Sequence, residues 1–157
     1  MNDDWHDLLI ALLDVDARFL VVDAHALAVH GVPRGTQDLD VWIDPDPANV
    51  ERVWRALAEF GSALEQLGVT RDDLHRVDVV VQIGLPPNRI DLLTSISGGP
   101  DFGMAWDGRV EIDVRGRTVP FPGRDALIRN KRASGRRKDL ADVEALGEDP
   151  DALTGAR

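Results

Sequence analysis

Apolar and polar positions in the first part of the chain alternate between helical and strand-like spacing. Leucines at positions 8, 9, 12 and 13 would share one face of a helix, whereas Leu39, Val41 and Ile43 would share one face of a strand. The pattern predicts, in chain order, a helix over Trp5–Val15, a strand over Arg18–Val22, a short helix over Ala24–His30, a strand over Asp38–Ile43, and a helix from Pro47 to about Phe60 with Asp46 as its N-cap residue.

The rest of the chain is typical of paired strands followed by helices. β-branched residues and turn residues predict two hairpins, and basic helical segments follow them. The predicted elements are a short helix and turn within Ser62–Leu74, a hairpin of Val77–Ile83 with Arg89–Thr94, a second hairpin of Arg109–Val114 with Thr118–Phe121, and two helices, Arg124–Ala133 and Lys138–Leu146, separated at Gly135.

These elements do not follow a regular βαβ order, which argues against a doubly wound parallel sheet. We therefore expect an α/β (α+β) fold, with a small mixed β-sheet flanked by helices and a helical pair at the C-terminus. A single domain is expected over residues 1–147, with its core in 17–122 and the basic helices in 124–146. Residues 148–157 are expected to form a frayed tail.

Composition and charge narrow the classes of protein to which the chain can belong. Its 157 residues include no cysteine, which excludes a disulfide scaffold, a thiolate zinc site and a cysteine nucleophile. The net charge of −10 disfavours indiscriminate binding to nucleic acid or membranes. An acidic N-terminal segment and the lack of a long apolar run predict a cytoplasmic protein with no membrane partner.

One segment departs from this acidic average. Arg124–Lys138 contains seven basic residues and a single acid, Asp125. A local basic surface on an acidic protein suits an anionic ligand that is held at one place. The alternative is a solvated helical face without a ligand.

The candidate chemistry begins with Asp38 and Asp40. They lie two residues apart in a predicted strand, so both carboxylates project from the same face. Adjacent carboxylates repel each other unless a cation lies between them, and Mg²⁺ takes carboxylate and substrate phosphate oxygens together. The alternative is a solvent-exposed strand edge on which this pattern occurs by chance.

Asp91 is a third acid, placed among apolar residues of a later predicted strand. On an adjacent strand it would complete a two-metal site of the kind that promotes in-line phosphoryl transfer. The alternative is an acid on the polar face of a half-exposed strand. Arg34 and Thr36 lie in the turn that leads to the acidic strand, and turn amides and arginine both bind phosphate well.

At these residues the chain resembles a known family, the minimal nucleotidyltransferases related to the AbiEii and MenT toxins, within the DNA polymerase β-like nucleotidyltransferase superfamily. The matching positions in Val22–Asp40 are Ala26, His30, Gly31, Arg34, Thr36, Asp38, Leu39 and Asp40. The segment Leu127–Asp142 also resembles the basic segment that closes this family's domain.

The resemblance implies a nucleotidyltransferase fold and an enzyme that needs Mg²⁺ or Mn²⁺. It also implies the roles of particular residues. Catalytic carboxylates and metal ligands would be Asp38, Asp40 and Asp91, and the nucleotide-binding positions would be Asp23, Ala24, Arg34, Thr36, Lys131 and Lys138, the two lysines contacting the triphosphate.

One position departs from the family's pattern. Family members carry Gly-Gly or Gly-Ser after the first strand, where bare amides approach the nucleotide phosphates, whereas this chain has Asp23-Ala24. Glycine suits that position because a Cβ blocks the approach and because the backbone angles there are often unusual. A carboxylate adds repulsion of about 1 kcal/mol in water for a like charge about 4 Å away, and more in a drier site.

Two functional hypotheses follow. The first is an enzyme that transfers a nucleoside monophosphate from a nucleoside triphosphate to an acceptor hydroxyl. By the resemblance, that acceptor would be RNA, tRNA above all, with a protein or a small molecule as the alternatives. The resemblance also implies the toxin of a toxin–antitoxin pair, with a cognate antitoxin protein as partner. The second is a catalytically weakened or inactive protein of the same fold that binds a nucleotide, RNA or a partner protein.

Overall fold

Six α-helices and six strands make up the part of the chain that the computed structural model describes, residues 1–62, 64–98 and 101–152. In chain order they are α1 (Asp3–Asp14), β1 (Phe19–Val22), α2 (Ala24–Val29), β2 (Asp38–Ile43), α3 (Pro47–Phe60), β3 (Val80–Ile83), β4 (Arg89–Leu93), α4 (Phe102–Asp107), β5 (Val110–Val114), β6 (Arg117–Phe121), α5 (Arg124–Ser134) and α6 (Arg137–Ala145). Two short 3₁₀ helices, Leu64–Leu67 and Asp72–His75, lie between α3 and β3.

Local sequence explains where the longer helices begin and end. The Asn2 side chain accepts a hydrogen bond from the Trp5 amide and so caps α1. Helix α3 begins at Pro47, whose fixed φ suits a first helical position, and ends at Gly61 in the left-handed conformation. Asp46 occupies the N-cap position as predicted, but its side chain makes no capping hydrogen bond.

The larger sheet has four strands in the order β1-β2-β4-β3. Its two central strands, β2 and β4, are parallel, and both outer strands are antiparallel to their neighbours. Strands β5 and β6 form a separate two-stranded antiparallel sheet. The mixed α/β fold with a small mixed sheet and a C-terminal helical pair is therefore confirmed, as are both hairpins.

The two faces of the larger sheet are covered differently. Leu39, Val41 and Ile43 of β2 lie in the main core, which also includes apolar residues of α1, α3, α5 and α6. On the opposite face, Trp42 is buried against Phe102 of α4, with ring centroids 5.1 Å apart in an edge-on arrangement. The smaller apolar cluster on that face lies beside the strand positions that carry the acids.

Three predictions about elements need correction. Helix α4 has no counterpart among the predicted elements, because its six residues are too few to show helical periodicity. Strand β3 begins at Val80 and not at Val77, since Asp78 has a φ of 60° that breaks the extended backbone. The segment 62–74 forms two 3₁₀ helices instead of one short helix and a turn; residue 63 lies outside the described residues.

The predicted tail from Glu148 onward is partly described. Glu148 forms an ion pair with Arg124 at 2.8 Å, and the Asp149 carbonyl accepts a hydrogen bond from Arg132. Residues 153–157 lie outside the described residues. Within the described ranges, none of the helices has both the length and the apolar character needed to cross a membrane.

Candidate functional site

The acids Asp38, Asp40 and Asp91 come together on the two central strands. Asp38 and Asp40 share one face of β2, and the parallel register pairs Asp40 with Asp91 of β4. Because paired residues of adjacent strands point to the same side of a sheet, Asp91 lies on the acidic face too. Asp91 is 7% exposed, so at least one of the three carboxylates is held away from bulk water.

Arg89 joins two of these acids. It lies two residues before Asp91 on β4, and its Nη2 is 3.0 Å from Asp38 Oδ2 and 3.2 Å from Asp91 Oδ2. The other Asp91 oxygen, Oδ1, is buried and has no hydrogen-bond partner. A guanidinium thus neutralises one side of the acidic cluster, and an unpartnered carboxylate oxygen remains.

Asp40 faces mainly other acids. Burial, together with the charges of Asp23 and Asp91, raises the pKa of Asp40 to about 7. Among the described residues, Asp40 forms no salt bridge of its own. The Asp40 carboxylate therefore lies where a cation would be stabilised.

Asp23 joins the acidic cluster to the C-terminal helices. It follows β1 with φ 58° and ψ −128°, a conformation that glycine adopts freely and other residues rarely adopt. This backbone geometry accounts for the preference for glycine at the position. Burial raises the pKa of Asp23, but the hydrogen bond and charge of Lys131 outweigh burial, so the pKa lies below its usual value.

Lys131 of α5 is almost fully buried and is surrounded by carboxylates. Its Nζ lies 2.5 Å from Asp23 Oδ1, 3.1 Å from Asp139 Oδ1 and 3.3 Å from Asp142 Oδ2. Burial lowers the pKa of Lys131, yet its hydrogen bonds to Asp23 and Asp139 raise it above the ordinary value. The lysine expected to contact the triphosphate is therefore at the site, but its charge is already compensated within the protein.

The remaining predicted binding residues are arranged around this centre. Arg34 pairs with Asp142 at 2.8 Å, and the Thr36 hydroxyl bonds to the backbone of Asp38 at the start of β2. Ala24 is the first residue of α2. Lys138 is exposed in the first turn of α6, close enough that its charge lowers the pKa of Asp23.

A cavity of about 180 Å³ lies between the acidic strands and the C-terminal helices. Its lining includes Asp23, Asp40, Ser97, Asn130, Lys131 and Arg136. Acids thus line the strand side of the cavity, whereas the helical side carries Lys131 and Arg136 together with the acid Asp139, which pairs with both. A larger cavity of about 650 Å³ lies beside α1 and contains none of the predicted site residues.

The donor set fits a hard divalent cation in its chemistry. Carboxylate oxygens are the ligands that Mg²⁺ prefers, and Asp91 Oδ1 is a buried oxygen with no partner. In the described ranges, no three His, Cys, Asp or Glu side chains are already arranged around a metal position. Between two of these acids, Asp38 and Asp91, lies the Arg89 guanidinium.

Two features of the site were missed by the sequence reasoning. Arg89 carried a signal, because residues 89 and 91 of a strand share a face. Asp139 and Asp142 also carried one, because residues three apart share a helix face.

A scan against protein-family models found no match for this chain, and neither did a search of curated proteins. The resemblance to nucleotidyltransferases therefore stays a prediction from the residues.

Proposed function

We propose that the chain is a metal-dependent nucleotidyltransferase. It transfers a nucleoside monophosphate from a nucleoside triphosphate to an acceptor hydroxyl, with RNA, tRNA above all, as the acceptor; the acceptor oxygen bonds to the α-phosphorus and pyrophosphate leaves. The observation that carries this proposal is the register that pairs Asp40 with Asp91 on parallel central strands, beside Asp38, with Asp40 lining a cavity that Lys131 and Arg136 also line. The resemblance extends the proposal to the toxin of a toxin–antitoxin pair with a cognate antitoxin. The acidic N-terminal segment and the lack of a long apolar run extend it to a cytoplasmic location.

Positioning and charge compensation supply most of the catalysis in such a site. Asp38 and Asp40 hold Mg²⁺ or Mn²⁺, which when bound offsets the negative charge at the α-phosphate. Asp91 takes the proton from the acceptor hydroxyl, because its buried Oδ1 has no other partner. Lys138, whose charge acts on Asp23, and Arg136, which lines the cavity and pairs with Asp139, bind the outer phosphates. Lys131 joins them only if it releases Asp23.

The test follows label from each α-labelled nucleoside triphosphate onto total RNA or onto the protein, with Mg²⁺ or Mn²⁺. We expect transfer by the wild type and none by the Asp38→Ala/Asp40→Ala double variant. A matched control is Asp44→Ala/Asp46→Ala, which removes two acids at the same spacing just after β2 and leaves the site intact. No transfer by the folded wild type, with every nucleotide and both metals, would contradict the enzymatic proposal.

A second candidate function is a catalytically weakened protein that binds a nucleotide, RNA or a partner protein. The specific observation in its favour is the pairing of Lys131 with Asp23, which leaves a carboxylate at the position of the phosphate-binding amides. Equilibrium binding of labelled nucleoside triphosphates separates the two functions. Nucleotide binding without transfer supports the binding protein, whereas transfer that is lost in Asp38→Ala/Asp40→Ala supports the enzyme.

A further inference from the structure

Arg89 occupies a position with a particular consequence for the charge of the site. Its Nη2 contacts one oxygen of Asp38 and one oxygen of Asp91 at the same time. These two acids lie on different strands, so the guanidinium bridges the sheet just where a cation shared by Asp38 and Asp91 would lie. The bridging nitrogen is held in place from both sides.

The remainder of the Arg89 side chain is also built into the protein. It is only 30% exposed, and its Nε is buried without a hydrogen-bond partner. An arginine that merely covered an acidic surface would keep Nε in water, since burying an unpaired polar group has a free-energy cost. The cost indicates that the two carboxylates hold this side chain in a defined position.

The charge balance points the same way. With all three carboxylates of the site ionised, as in a cation-bound state, one guanidinium leaves two negative charges, which one divalent cation compensates. The uncompensated side of the cluster is that of Asp40, which has acids as its neighbours and forms no salt bridge in the described part of the chain. A single cation shared by Asp38 and Asp40 therefore completes the site.

We infer that the site binds one divalent cation, held by Asp38 and Asp40, and that the Arg89 guanidinium takes the place of a second cation between Asp38 and Asp91. This inference rests on the proposed function, because it concerns the metal of that same site. It makes Arg89 a permanent positive charge between Asp38 and Asp91, and it leaves Asp91 Oδ1 without a partner in the described part of the chain.

The experiment counts Mn²⁺ ions bound per chain, by electron paramagnetic resonance of the free ion during a titration with Mn²⁺ alone. We expect one ion for the wild type and two for Arg89→Met, whose side chain is of similar length but uncharged. Arg71→Met is the matched control, because Arg71 pairs with Glu51 at 2.8 Å and with none of the three acids of the site. This variant should leave the number of bound Mn²⁺ ions at one. Circular dichroism checks that each variant is folded.

Each outcome bears on one proposal or the other. Two ions on the wild type would overturn the role of Arg89 and leave the metal-dependent enzyme standing. One ion on both the wild type and a folded Arg89→Met would also overturn it, since no second cation position would then exist beneath the guanidinium. No Mn²⁺ on the wild type would overturn the inference about the cation and Arg89, and it would leave the enzymatic proposal to the label-transfer assay. The wild-type count does not depend on whether the Arg89 variant folds.

Discussion

Replacing Asp23 tests how the protein carries an acid at a position that prefers glycine. With φ 58° and ψ −128°, Asp23 has a backbone conformation that costs a residue with a Cβ about 1–3 kcal/mol. Glycine has no such strain, although its larger loss of backbone entropy on folding costs about 0.5–1 kcal/mol relative to alanine. Asp23→Gly should therefore be more stable than Asp23→Ala by about 0.5–2 kcal/mol, because only alanine keeps the strain.

Both variants also lose the ion pair with Lys131. Removing one partner of a buried pair usually costs about 3–5 kcal/mol, because it leaves a buried charge without compensation. Lys131 keeps Asp139 and Asp142 at 3.1 Å and 3.3 Å, so its charge stays compensated. Removal of Asp23 also takes a like charge away from Asp40. We therefore expect Asp23→Gly to be at least as stable as the wild type.

The assay is urea unfolding at pH 7 in the presence of EDTA, with wild type, Asp23→Gly and Asp23→Ala compared by their free energies of unfolding. Asp16→Gly and Asp16→Ala form a matched control pair, since Asp16 is exposed, has a φ of 55° and lies outside the site. Equal stability of the two Asp23 variants would refute the backbone strain. A loss above about 3 kcal/mol in both would refute the claim that the other two acids compensate Lys131.

Two further predictions concern the acids and the apolar cluster beside them. In metal-free protein, the raised pKa of Asp40, about 7, means that the native state keeps a proton that the unfolded chain has released above about pH 4. Relative to Asp40→Asn, the wild type should therefore lose stability as the pH rises from 4 to 8. Urea unfolding of both proteins across that range measures this, and a constant difference between their free energies of unfolding would contradict the prediction. Phe102 is 5% exposed and packs edge-on against Trp42. Phe102→Ala should therefore lower the free energy of unfolding by about 3–5 kcal/mol, measured by urea unfolding followed by circular dichroism. A loss below about 1 kcal/mol would show that α4 is not part of the core.

The acidic face was predictable because strand periodicity is local. Alternation along Asp38–Ile43 is enough to place Asp38, Asp40 and Trp42 on one face, and the structure agrees. The boundaries of α3 were predictable for the same reason, since Pro47 and Gly61 act within a single turn of helix. What local patterns could not give is the register that sets Asp91 opposite Asp40, because it depends on a crossover between strands that are far apart in the chain.

The contacts of Lys131 could not be predicted from the sequence for a related reason. Its partner Asp23 is 108 residues away, and only tertiary packing of α5 against the end of β1 brings the two together. Sequence reasoning gave Asp23 and Lys131 opposite roles, one repelling phosphate and the other attracting it. The structure pairs these two residues, so that neither charge faces the cavity uncompensated.

This pairing makes the acidic cluster and the basic helices a single electrostatic unit. Arg89 compensates the cluster on the Asp38–Asp91 side, and Lys131 compensates it at Asp23, whereas Asp40 between them has no basic partner in the described chain. On the proposed function, a triphosphate carrying a divalent cation would supply the positive charge that Asp40 lacks, and its phosphates would compete with Asp23 for Lys131. Because Asp139 and Asp142 also compensate Lys131, this exchange depends on how strongly Asp23 holds the lysine. Competition from Asp23 would therefore lower the affinity for the triphosphate in an enzyme and in a binding protein alike.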